Sequence, residues 1–222
     1  MNLSLWNEEK MKKRIKTFDL ALCSLLLAII LLLTFTGLGF PKITGIEITT
    51  IHIPVLIGAI ILGRWYGSFL GLAWGLASLY LAFRNQTVDT IVFTNPLVSV
   101  FPRVLIGFIA IDIYNLFKKL TNDKKIGVLL SAFLTTFIHT VLVVTLFFLS
   151  WKNGFFFFSE DYPFPDGMQF FSILLALLLS NFLIEATLSC LIVSPVAIIY
   201  NKLAETENLE LEDIMDDNNK SK

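Results

Sequence analysis

Charge is scarce in this chain: 16% of its 222 residues are Asp, Glu, Lys or Arg, and 17 basic against 18 acidic residues leave a net charge of -1. That balance supplies no basic footprint for nucleic acid and no acidic excess of the kind that keeps a chain disordered. Cysteine is scarce too. Cys23 and Cys190 both stand in apolar runs without the spacing of a disulfide framework or a zinc site, and they read as packing residues. Enzyme signatures are missing as well: there is no GxxxxGK[ST] phosphate loop, no HExxH, no GxSxG and no paired acidic motif on an apolar segment. A protein that hydrolysed ATP itself would need the first of these. Any uphill work must therefore draw its energy from another chain, and no cofactor is expected in this one.

What the chain has in abundance is apolar length. Hydrophobic residues make up 55% of it, 21 of them phenylalanine, and its mean hydropathy of +0.74 excludes an ordinary soluble domain. A spanning helix takes about 20 mostly apolar residues to cross roughly 30 Å of hydrocarbon. Six segments approach that length, near 19–38, 51–64, 66–83, 96–117, 127–150 and 169–200. The expected fold is an all-α integral membrane protein, a bundle of six transmembrane helices. The second span is short by this rule, and the last is long enough to tilt or to project from the bilayer. The first reads poorly as a cleaved signal: its apolar run is long, and no small-residue cleavage site follows in LLLTFTGLGFPK.

Lysine and arginine gather in KMKKRIK at the amino end and in FKKLTNDKK after the fourth span, which places both termini on the cytoplasmic side. Arg64 and Lys202 fall on that side too, and the outer loops are then about 39–50, 84–95 and 151–168. Residues 1–18 form a basic cytoplasmic segment, 19–203 the membrane domain, and 204–222 an acidic cytoplasmic tail, ETENLELEDIMDD, read as a solvated helix end or a disordered tail. In GRWYGSFLGLAWG, glycines at 63, 67, 71 and 75 share one helical face. Such a face lets another backbone approach closely, either within this chain or at an interface with another subunit. Ala21, Ser24 and Ala28 form a second small-residue stripe in the first span.

Ionisable groups inside membrane spans are functional candidates until a structural pairing explains them. Here they are Arg103, His139 and Glu185, with Asn181 one helical turn before Glu185. Arg103 follows Pro102 seven positions into the fourth span, about 10 Å from its start at 1.5 Å per residue. A cavity open to the outside would bring Arg103, His139 and Asn181 together. The plainer alternatives are an Arg103 to Glu185 ion pair that fixes helix packing, a packed and hydrogen-bonded His139, and an Asn181 that bonds a neighbouring helix. Glu47, Thr49, Thr50 and His52 in EITTIHIP, then Asn85, Gln86 and Asp89, and Asn95 at the start of the fourth span, would ring the same outer vestibule. Helix capping and interfacial anchoring are the competing readings for this ring and for the aromatics of WKNGFFFFSEDYPFP.

ITTIHIPVLIGAIILGRWYGSFLGLAWGLASL followed by TNPLVSVFPRVLIG resembles the substrate-binding S components of energy-coupling factor (ECF) vitamin transporters, over most of residues 18–202. HIPV and the later PR are similar to the branch associated with pantothenate. The resemblance implies a multi-pass protein of the bacterial cell membrane that captures a vitamin from outside. Its partners would be a transmembrane coupling protein and two ATPases, which use ATP and magnesium. The loop at about 39–50 would close over the ligand, and the small-residue face of the early helices (Ala21, Ser24, Ala28, with Gly67 and Gly71) would meet the coupling protein. The usual alanine-xxx-alanine of span one is approximated here by Ser24 and Ala28. Pantothenate carries one carboxylate, an amide and two hydroxyls. Arg103 would hold the carboxylate, and Asn95, His139 and Asn181 the neutral groups, with His52, Thr50, Asn85 and Glu185 completing the candidate site. A pyridoxine-like or pyrimidine ligand would lean on Glu185 and aromatic stacking, and folate would call for more positive charge. A membrane assembly or regulatory protein, its polar residues only joining helices, is the reading from a different class.

Overall fold

The computed structural model describes the backbone of residues 3–40, 42–43, 46–47, 49–85, 91–152, 172, 182–203 and 206, with side chains at 17–40, 49–84, 93–150, 172, 182–203 and 206. Asn181, Gln86 and Asp89 lie outside the described residues, as does nearly all of the acidic tail; Asn85 ends a helix, but its side chain is outside the description.

Helix α1, Leu3–Thr36, contains the apolar stretch Thr17–Thr36. Cys23, Leu26, Ile30 and Thr34 recur at intervals of three and four, and all are buried. At 100° per residue, Ala21, Ser24 and Ala28 fall on the opposite face, which is exposed. A small antiparallel hairpin follows, β1 (Lys42–Ile43) with β2 (Ile46–Glu47). Its base is closed where the Thr50 N–H and hydroxyl both donate to the Gly39 carbonyl, at 3.0 and 3.4 Å. This hairpin is the one departure from all-helical structure among the described residues.

Helix α2, His52–Leu62, has 11 residues. It is about 16 Å long, half the hydrocarbon thickness, and residues 52–60 are all buried. A helix apolar on every side is stable only when surrounded, and α2 packs on α1, α3 and α5. The expected second span is therefore a core helix inside the bundle. Gly63 ends it with φ +99, a backbone conformation that a side chain would strain, and α3 (Arg64–Asn85) starts at the next residue.

A 3₁₀ turn, Ile91–Thr94, leads into α4 (Pro96–Ser99), and α5 (Phe101–Thr121) follows after a break at Val100. The span expected over 96–117 is present as one apolar stretch, Pro96–Thr121, broken locally at Val100, with a proline near the start of each of its two helices. Asn122, in a left-handed conformation, caps α5 before α6 (Lys124–Lys152). The last described helix, α7, covers Phe182–Leu203. Five described helices are long and apolar enough to cross a membrane.

The glycine face of α3 packs inside the chain. A Cβ at Gly67 would collide with the Gly107 carbonyl, one at Gly71 with the Arg103 carbonyl, and one at Gly107 with Gly67. Backbone therefore meets backbone where α3 crosses α5, which only glycine permits. This corrects the expected place of Gly67 and Gly71 at a partner interface: they bring α3 against the helix that carries Arg103.

Candidate functional site

The buried arginine begins with a missing donor. In a continuous helix the Val98 carbonyl would accept the N–H of residue 102, but that residue is proline and has none. Arg103 fills the gap: its Nη1 donates to the Val98 carbonyl. The side chain is only 5% exposed, and two aromatic rings lie against the guanidinium, Trp74 with its centroid 5.0 Å from Cζ and Phe93 at 4.8 Å. Nη1 is the only one of its nitrogens with a hydrogen-bond partner among the described residues, and Nε is buried without one. The Nε and Nη2 hydrogens share one edge of the planar fork, the edge that can hold both oxygens of a carboxylate.

Glu185 lies near enough to act on this cation through its charge but makes no direct ion pair with it. Its Oε1 accepts the Thr49 backbone N–H at 2.8 Å. One turn along α7, Ser189 meets Nε2 of His52 and lies 3.3 Å from the Thr136 hydroxyl. Residues 49–52 are thereby docked on α7 at two successive turns. Trp74, 1% exposed, joins this layer to Arg103: its ring lies 5.2 Å from that of His139 and 6.5 Å from that of His52. The indole Nε1, His139 Nε2 and the Thr135 hydroxyl are buried without hydrogen-bond partners among the described residues. Unpaired buried polar atoms are costly, and those of Trp74 and His139 belong to the layer that meets Arg103.

The structure thus brings Arg103, His139, His52 and Glu185 together from α5, α6, α2 and α7. Asn95 is committed elsewhere. Its Oδ1 accepts the Leu97 N–H at 2.9 Å, capping α4, and its Nδ2 donates to the Ser150 hydroxyl at 3.1 Å, so it has a structural role at the position where a ligand contact was expected. Thr50 likewise spends its hydroxyl on Gly39. Sequence reasoning missed Trp74, Phe93, Ser189 and the Thr135–Thr136 pair. A signal existed for most of them: Trp74 is the large residue between Gly71 and Gly75, Ser189 follows Glu185 by one turn, and Thr135 and Thr136 precede His139 by one turn.

The chemistry of these groups matches a small molecule with one carboxylate and a few neutral hydrogen-bonding groups. Among the described residues no cluster of His, Cys, Asp or Glu is arranged for a metal ion. Two curated relatives carry matching names. The pantothenic acid transporter PanT of Lactococcus lactis subsp. cremoris is 33% identical over 157 residues, 62% of this chain and 76% of the relative. The pantothenate transporter PanT of Leuconostoc mesenteroides subsp. mesenteroides is 34% identical over 140 residues, 59% of this chain and 68% of the relative. Residues 18–197 match the family described as ECF transporter, substrate-specific component. With most of its membrane helices inside that match, the chain belongs to the substrate-specific component family of ECF transporters, a multi-pass membrane protein and not an enzyme.

Proposed function

We propose that this chain captures pantothenate outside a bacterial plasma membrane and delivers it through an ATP-driven module made of a transmembrane coupling protein and two ATPases. The observation that carries the substrate is Arg103: a buried cation whose Nε has no hydrogen-bond partner and whose Nε–Nη2 edge meets no acceptor among the described residues. The carboxylate of pantothenate fits that edge, and its amide and hydroxyls find the Trp74, His139 and Thr135 groups. The names of both curated relatives support the same vitamin. Folate's second carboxylate would lack a second cation among the described site residues. A pyridoxine-like or pyrimidine ligand would lean on Glu185, whose Oε1 accepts the Thr49 N–H, and would leave the Arg103 cation without a carboxylate.

Both termini lie in the cytoplasm in this reading, supported by the basic residues at the amino end and in the α5–α6 turn. The exposed stripe of Ala21, Ser24 and Ala28 then faces the coupling protein. The Ser24 hydroxyl donates to the Leu20 carbonyl at 2.8 Å, so this surface is flat and asks for no polar partner. Uptake tests the division of labour. Liposomes holding this protein alone should bind labelled pantothenate without concentrating it, and adding the coupling protein, the ATPases and ATP should produce accumulation. Accumulation by the isolated protein with no ion gradient would overturn the proposal.

A further inference from the structure

We propose that Trp74 and Phe93 are positioning residues for pantothenate capture, holding the Arg103 guanidinium so that its Nε–Nη2 edge alone meets the ligand; this rests on the reading that Arg103 binds the carboxylate. The guanidinium is fixed at three points: Nη1 on the Val98 carbonyl, the Trp74 ring at 5.0 Å and the Phe93 ring at 4.8 Å. Each constraint takes a face or an end and leaves the bidentate edge. The choice of aromatic neighbours has a second consequence. A ring face stabilises a desolvated cation through its quadrupole but does not neutralise it. A protein carboxylate in that place would have to be displaced by the ligand's own, whereas π faces hold the charge at full strength.

The pair comes from two consecutive elements, α3 and the 3₁₀ turn that follows it. Trp74 sits in the glycine face that presses α3 onto α5, and the same close approach sets the Gly71 backbone on that of Arg103. Phe93 comes from the 3₁₀ turn just before α4. Its half-buried ring puts that turn within direct reach of the cation. A larger residue at 71 would lift Trp74 away from its place beside Arg103.

A double-mutant cycle on the full-length purified protein separates positioning from simple packing, because a lysine at 103 is a point charge with no edge to orient. In the Arg103 protein, Trp74→Leu should weaken labelled pantothenate binding about 5- to 30-fold, and Trp74→Phe, which keeps a ring face, less than about 3-fold. In the Arg103→Lys protein the same Trp74→Leu change should have almost no further effect. Equal losses on both backgrounds would make Trp74 a packing residue and overturn the proposal, as would an unweakened Trp74→Leu protein. Arg103→Lys without any loss would instead overturn the carboxylate assignment beneath it. Melting curves accompany every variant, and if Trp74→Leu fails to fold, Phe93→Leu carries the same cycle with the same expected pattern.

Discussion

Arg103→Ala is expected to weaken pantothenate binding very roughly 30-fold to several-thousand-fold, the equivalent of about 2 to 5 kcal/mol for losing a charge-assisted pair at a desolvated site. Arg103→Lys should lose less, since it keeps the charge but not the fork. The stability cost should be modest. Alanine leaves the Val98 carbonyl without the donor that replaced the missing Pro102 N–H, about 1 to 3 kcal/mol for an unsatisfied buried group, but it strands no carboxylate, because Glu185 is bonded to Thr49 and not to Arg103. Adding Glu185→Gln to Arg103→Ala should therefore restore neither folding nor affinity. Calorimetric titration and melting of the two single variants and the double variant check this together. An ion-pair origin for the arginine would show itself as rescue in the double variant.

The second large effect belongs to the other side of the molecule. Ala28→Leu, and Ser24→Leu beside it, should abolish most assembly with the coupling module under conditions where the unaltered protein assembles, while leaving pantothenate affinity within about 3-fold. Close approach between helices in lipid depends on small residues, because packing rather than hydrophobicity holds them together. Ala21, Ser24 and Ala28 are exposed, and the buried face of α1 is carried by Cys23, Leu26, Ile30 and Thr34, so added bulk on the stripe points away from the described core of this chain. Co-purification of tagged complexes measures the first outcome and titration the second. Unchanged complex yield would remove this face from the interface.

The membrane class was legible because hydropathy over 20 residues is set by the solvent and needs no tertiary contact. Arg103, His139 and Glu185 were legible for the same reason, as ionisable groups where hydrocarbon penalises them. What periodicity did not carry was the use made of each small or aromatic residue. The glycines of α3 satisfy the spacing of an internal crossing and of an external one equally, and only the position of Gly107 opposite Gly67 decides. Asn95 and Thr50 carry the chemistry of ligand contacts, yet the cap at Leu97 and the carbonyl of Gly39 claim them first. Trp74 was passed over because a tryptophan in an apolar helix reads as bulk. Its meaning depends on α5 arriving with a cation, a contact across about 30 residues that no local pattern encodes. The Pro102–Arg103 pair needed both facts at once: the missing donor and the side chain that replaces it.

In this account the ligand's carboxylate completes a cation that forms no ion pair with a described carboxylate. The most direct measurement is titration of the purified protein with pantothenate and with its alcohol counterpart, in which a hydroxymethyl group replaces the carboxylate and all else is kept. Pantothenate should bind saturably at one site per chain, and the alcohol at least about 30-fold more weakly, with that gap collapsing in the Arg103→Ala protein. Equal affinity for the two compounds, or no binding of pantothenate by folded protein, would contradict it.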